Sequence, residues 1–148
     1  RLSIKWPNDI LINKAKVAGI LIESLTLNNS IKILNIGIGI NIVSNPNNTL
    51  YHATNLRDVG IQTNADEMIR IFFKNLKIIE KLYIREGIKE IYKMWGVLGH
   101  KIGDPISVKI GDNKIFGIFN GLNDEGGLLI LNEAGCEQVI MAGDVFLL

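Results

Sequence analysis

Apolar residues come in short dense runs over the first 43 positions, at helical spacing from about 64 to 95, and in short alternating runs after 105. Leu2 to Trp6 is closed by Pro7, and proline disfavours helix in the residue before it, so a strand and then a turn at Pro7-Asn8-Asp9 are predicted. Ile10 to Ile12 reads as a second short strand. Asn13-Lys14-Ala15-Lys16 is turn-like, and Val17 to Leu25 follows as a strand expected to be buried on both faces, with a hairpin over that turn. Asn28-Asn29 marks the next reversal. Ile31 to Val43 alternates branched residues with Asn35, Gly37, Gly39 and Asn41, which is a strand signature. Glycine is a poor strand residue. Gly37 and Gly39, two apart and so on one face, imply something lying close against that face, and a packed helix and a bound ligand both fit.

Ser44 to Arg57 carries Asn45-Pro46-Asn47-Asn48 without periodicity and is expected to be a loop over the sheet's edge, of a length at which loops often serve as lids. Asn64 then caps a helix, with Glu67 placed to complete a capping box. Ile69, Phe72, Phe73, Leu76, Ile79 and Tyr83 form one apolar stripe, and Lys74, Lys77, Glu80 and Lys81 lie opposite, so this helix is expected to cover a core with a solvated basic face outward. Gly87 ends it, and Ile88 to Trp95 is a shorter helix. Beyond Gly99 five runs, Ile106 to Ile110, Ile115 to Leu122, Leu128 to Asn132, Glu137 to Met141 and Asp144 to Leu147, are separated by glycine-rich turns. They predict a small antiparallel barrel of about 45 residues. The chain is thus α+β, with domains at 1–97 and 98–148.

Composition narrows the classes of function. A hydrophobic fraction of 47% against 21% charged residues excludes disorder, and no apolar run nears the ~18 residues that cross a bilayer. Sixteen basic and fifteen acidic residues leave a formal charge of +1, too little for a nucleic-acid-binding field through this segment. One cysteine, Cys136, rules out an internal disulfide, so a reducing, cytoplasmic setting is expected. The sequence opens on Arg1 and enters a strand-like run within three residues, as the carboxyl-terminal part of something longer would.

The residues that could do chemistry are few. His52 in the loop and His100 at the domain junction read as structural or solvated, and Cys136 has no basic neighbour in sequence to activate it. IGIGIN lacks the third glycine and following helix of a dinucleotide fingerprint. Lys5, Asp9, Lys16 and Asn41 remain. An ammonium neutralises phosphate or carboxylate, a carboxylate holds magnesium or orients a donor, and an asparagine amide can pair with adenine's donor and acceptor edge. Together they suit an anionic, adenine-bearing ligand.

KWPNDILINKAKVAGILIES, then NIGIGINIV, then GDPISVKIGDNKIFGIFNGLNDEGGLLIL resemble the biotin protein ligase family in order and separation, over essentially the whole chain. The resemblance implies part of a mixed catalytic sheet with helices, akin to class II aminoacyl-tRNA synthetases, followed by an SH3-like β-barrel. It implies an ATP-dependent ligase that joins biotin to ATP as biotinyl-5′-AMP, with Mg2+, and passes biotin to a lysine of a biotin carboxyl carrier protein of a carboxylase. By the same resemblance Lys16 is the essential lysine beside the biotin carboxylate and adenylate phosphate. Asp9 is the catalytic aspartate, acting through the metal or the incoming carrier lysine. Asn41 recognises adenine, Gly19 gives a backbone contact to biotin, Gly37 and Gly39 floor the pocket, and the loop after Val43 closes over the adenylate. Lys5 is assigned to the turn or the phosphate region, and Trp6 to the core.

The family's glycine- and arginine-rich phosphate loop and its biotin-ring residues precede KWPND, so this segment alone is expected to be inactive or nearly so. A winged helix that would make a repressor is expected to be lacking too. Half a sheet leaves an edge that a homodimer could cover. Two other readings compete: a lipoate protein ligase, which the KWPND tryptophan and proline and the terminal barrel disfavour, and a non-catalytic module that docks a carrier protein.

Overall fold

The computed structural model describes residues 1–47, 49 and 51–147; Asn48 and Leu50 of the predicted loop, and Leu148, lie outside the described residues. Nine strands and two helices occur in the order β1 (Leu2–Lys5), β2 (Asp9–Ile12), β3 (Ala15–Leu27), β4 (Ser30–Ile40), α1 (Ala65–Glu86), α2 (Ile88–Leu98), β5 (Pro105–Ile110), β6 (Asn113–Leu122), β7 (Leu128–Leu131), β8 (Glu137–Ile140) and β9 (Asp144–Leu147) among the described residues. By contacts the chain divides into two compact units, residues 1–3 with 8–67 and residues 4–7 with 68–147 of those described.

The first unit is built on a sheet of order β1-β2-β3-β4. Two tight hairpins set its register. Ile12 pairs with Ala15 across Asn13 and Lys14, whose φ angles are 51° and 68°, and Leu27 pairs with Ser30 across Asn28 and Asn29, at 51° and 57°. Left-handed backbone at both central positions is the type I′ turn, whose twist matches that of antiparallel strands. Asparagine tolerates this region well, whereas Lys14 does so at a cost.

Two expectations fail here. β3 is not buried on both faces: only Val17 and Ala18 are enclosed, while Leu21 and Ile22 are 59% and 62% exposed. β3 and β4 pair along almost their full length as a two-stranded ribbon, and from Leu21 onward every residue of β3 is exposed, so branched residues stay at the surface whichever face they occupy. Likewise α1 buries none of its side chains, and Phe73 and Leu76 are exposed, so its apolar stripe is not covering a core among the described residues. The helix is capped as expected by Asn64, whose Oδ1 accepts the Glu67 N–H at 3.0 Å. The Glu67 carboxylate, however, accepts from the Thr63 hydroxyl at 2.8 Å in place of a capping-box return.

The second unit holds the core. Its five-stranded sheet runs β8-β7-β6-β5-β9, with each neighbouring pair antiparallel. Ile106, Val108, Phe119, Leu128, Ile130, Ile140 and Val145 pack together with Trp6, and Trp95 of α2 lies against them. Alternate residues of short strands supply this cluster, as the period-two pattern requires. Gly117 admits no side chain: a Cβ there would lie 2.1 Å from Ile130 Cγ2 and 2.5 Å from the Leu131 carbonyl oxygen.

Candidate functional site

The site grows from a pairing in the first unit. The register sets Asp9 opposite Gly19 and Gly19 opposite Gly39, so the start of β2 and the two glycines lie in line across three strands. The Asp9 carboxylate is buried at the sheet and meets Lys16 Nζ at 2.5 Å; the Lys16 side chain is 38% exposed and the Asp9 side chain 7%. Lys16 is two positions inside the hairpin, beyond a bulge between Ile10 and Leu11, and this offset aims it back at Asp9. Gly19 makes room for the pair: a Cβ at Gly19 would stand 3.1 Å from Lys16 Nζ and 3.4 Å from Asp9 Oδ1.

Lys16, Gly19, Gly37, Gly39 and Asn41 line one cavity of about 660 Å³, together with Asn8 and Tyr51. That volume suits a small-molecule site. The glycines are not explained by a protein neighbour: a Cβ at Gly39 would meet nothing within 4 Å, and one at Gly37 only Leu21 at 3.8 Å. Side chains at either position would instead occupy the cavity.

The segment after β4 returns to the site. The Lys16 N–H donates to the His52 carbonyl at 2.7 Å and the Thr54 N–H to the Lys16 carbonyl at 2.9 Å, with Lys16 bridged in parallel to Ala53. The predicted loop is therefore, around Ala53, a strand-like strip holding Lys16's backbone. Asn41 clasps the same strip: its Nδ2 donates to the Thr54 carbonyl at 3.0 Å and toward the Lys16 carbonyl at 3.4 Å. The Asn41 amide nitrogen is thus turned to protein carbonyls, and Asn41 lines the cavity.

Asn8, placed by the sequence in the turn alone, also reaches the cavity. It lines the cavity, its Nδ2 donates to the Ile20 carbonyl at 2.6 Å, and its carbonyl accepts from the Ile20 N–H at 3.0 Å. Its place next to Asp9 in the turn was the available signal. Lys5 belongs to the second unit, where it is buried and its Nζ lies 6.0 Å from the centre of the Phe146 ring. His52 contributes its backbone carbonyl, as noted, and Cys136 is exposed with a free thiol. His100 is buried, as a structural histidine would be. Among the described residues no group of three or more histidine, cysteine, aspartate or glutamate side chains gathers to hold a metal.

The model of the biotin/lipoate A/B protein ligase family matches residues 1–41, and that of the biotin protein ligase C terminal domain matches residues 101–148. A biotin–[acetyl-CoA-carboxylase] ligase of Paracoccus denitrificans is 32% identical over 99% of this chain and 63% of its own length. The bifunctional ligase/repressor BirA of Escherichia coli is 29% identical over 99% of this chain and 46% of its own. A biotin protein ligase from Aquifex aeolicus, solved in complex with biotin and ATP, superposes with a TM-score of 0.76 at 29% identity, over 99% of this chain and 62% of that one. The chain thus spans roughly half to two thirds of the length of these relatives. It carries, in order, segments matched by both family models and is similar over nearly its whole length to biotin protein ligases.

Proposed function

We propose that the cavity on Gly19, Gly37 and Gly39 is the biotinyl-5′-AMP site of an ATP-dependent biotin protein ligase that hands biotin to a lysine of a carboxylase's biotin carboxyl carrier protein. The observation that carries this reading is the partly exposed Lys16 ammonium, held by buried Asp9 at the rim of a cavity floored by glycine. In the first step Lys16 neutralises the biotin carboxylate and the phosphate it attacks, and pyrophosphate leaves. In the second it stabilises the oxyanion formed when the carrier's amine attacks the acyl carbon, and the acyl–phosphate bond then breaks to release AMP as the amine loses a proton and the amide forms. Gly37 and Gly39 let the ligand approach the backbone, Gly19 contributes a backbone contact to biotin, and Asn41 Oδ1 accepts from the adenine amino group.

Asp9 holds Lys16 in place and is the carboxylate that meets the metal or the incoming lysine. One buried carboxylate already facing an ammonium fits a Mg2+ that arrives on the nucleotide's phosphates, where the ion supplies charge neutralisation, better than a protein-built cage. Lys5 is proposed to secure the KWPND turn. The reading extends to a catalytic part at 1–97 related to class II aminoacyl-tRNA synthetases and an SH3-like part at 98–148, to self-association along the outer edge of β4, and to a cytoplasmic location. Lipoate as the substrate is disfavoured by the match of residues 101–148 to the biotin protein ligase C terminal domain. Calorimetric titration of biotin into the full-length protein, with and without ATP, tests the site: saturable binding that Lys16→Ala weakens is expected, and no heat from biotin in either setting would remove the reading.

A further inference from the structure

Asn55 lies in the first unit, 3% exposed, and does not line the cavity, yet both ends of its amide are engaged. Its Nδ2 donates to Asn45 Oδ1 and to the Asp58 carboxylate, each at 2.8 Å, and its Oδ1 accepts the Asp58 N–H at 2.9 Å. The backbone on either side is stitched to the chain leaving β4. The Thr54 carbonyl accepts from Asn41 Nδ2 at 3.0 Å, and the Leu56 and Arg57 N–H groups donate to the Asn41 and Ile42 carbonyls at 2.9 and 3.0 Å. Asn45 and Asn55 are therefore the two feet of a closed loop, in the manner of an Ω-loop. Of its described residues Pro46, Thr49, Tyr51 and Ala53 line the cavity. Asn45 carries the link to the first of these, since it precedes Pro46 and turns its own Nδ2 toward the Pro46 carbonyl at 3.5 Å.

We propose that Asn55 is a positioning residue for the cavity, stapling Asn45 to the strip at 54–57 and so fixing the wall at Pro46. A buried amide is costly unless paired, and an apolar side chain would fill the same space without that cost. What the amide adds is direction. Asp58 takes one Nδ2 hydrogen and gives its own N–H to Oδ1, which orients the amide plane and leaves the other hydrogen aimed at Asn45. Closing the loop at its feet removes conformers in which Pro46 swings away from the cavity, so less ordering is left to occur when a ligand binds. That this wall serves the nucleotide rests on the ligase reading, in which Asn41, four residues before Asn45, meets adenine.

Replacing buried Asn55 endangers the fold, so the test cuts the staple at half-buried Asn45. Asn45→Ala leaves the pairing of Asn55 with Asp58 intact, and Asn45→Asp keeps an oxygen that accepts from Asn55 Nδ2. Chymotryptic cleavage of the full-length protein after Tyr51, followed by mass spectrometry, needs neither biotin nor ATP. Asn45→Ala is expected to be cut about threefold to tenfold faster than the wild type, the scale of one lost hydrogen bond, and Asn45→Asp at close to the wild-type rate. In biotinyl-5′-AMP formation the KM for ATP is expected to rise by a similar factor in Asn45→Ala, with kcat held within about twofold, and to return toward the wild-type value in Asn45→Asp. Cleavage of Asn45→Ala at the wild-type rate would overturn the proposal. Faster cleavage with an unchanged KM for ATP would overturn it equally, because the wall would then have no bearing on the cavity. A wild type that forms no biotinyl-5′-AMP ends the ligase reading instead, and the cleavage rates still decide whether Asn55 sets the wall.

Discussion

The two units handle hydrophobic surface in opposite ways. In the second, Ile106, Val108, Leu128 and Val145 are fully enclosed by their own sheet and by Trp6. In the first, a ribbon at least as rich in isoleucine and leucine leaves Leu21, Ile22, Ile33 and Ile36 at the surface, and the unit's few enclosed side chains include the polar Asp9 of β2 and Asn55 of the segment after β4. Equal hydrophobicity thus does opposite work: the second unit turns it into a core, and the first uses its sheet to place charge beside a cavity.

Mutations should separate the two. Leu128→Ala leaves a cavity in a closed core and is expected to cost about 3–5 kcal/mol, whereas Leu21→Ala, at an exposed site, is expected to stay within about 0.5 kcal/mol. Urea denaturation of both variants checks this, and similar losses at the two positions would erase the contrast. Gly19→Ala should act in reverse. Its methyl meets the flexible end of Lys16, so folding should change by less than about 1 kcal/mol, while displacement of the ammonium should lower ligase activity by roughly tenfold to a hundredfold. Unchanged turnover would show that the 3.1 Å approach has no consequence.

The smallest effect is one of pH, and it belongs to the second unit. Burial depresses the pKa of His100 in the folded chain, so the unfolded chain binds its proton first as pH falls. The stability contributed by neutral His100 is therefore complete above about pH 6.5 and is lost progressively as pH drops from there through the lowered folded-state value. Denaturation midpoints across that range should fall for the wild type and fall less for His100→Gln.

Local pattern carried most of the fold. Turn asparagines located both hairpins of the first unit, and the period-two runs after Gly99 located all five strands of the second. What failed was burial. Val17 to Leu25 reads as an enclosed strand because local pattern carries hydrophobicity but not the identity of the surface that meets it, and the α1 stripe misleads for the same reason. Of the site, Lys16, Asp9, Gly19, Gly37, Gly39 and Asn41 were singled out from motif, and the structure brings the four other than Asp9 and Asn41 to the same cavity as Asn41, with Asp9 on Lys16. The strip at His52 to Thr54 and the role of Asn8 were not legible, because backbone hydrogen bonds leave no mark on residue type. Nor was the allegiance of Trp6, whose partners His100 and Gly126 lie about a hundred residues away in sequence.

The most direct test of the central claim is product formation by the full-length protein given biotin, ATP and Mg2+. Biotinyl-5′-AMP is expected from the wild type, with Lys16→Ala folding normally but slower by about 10²–10³, the scale of one lost charge-stabilising group. A wild type that forms no biotinyl-5′-AMP, or a Lys16→Ala variant that forms it at the normal rate, would contradict the account.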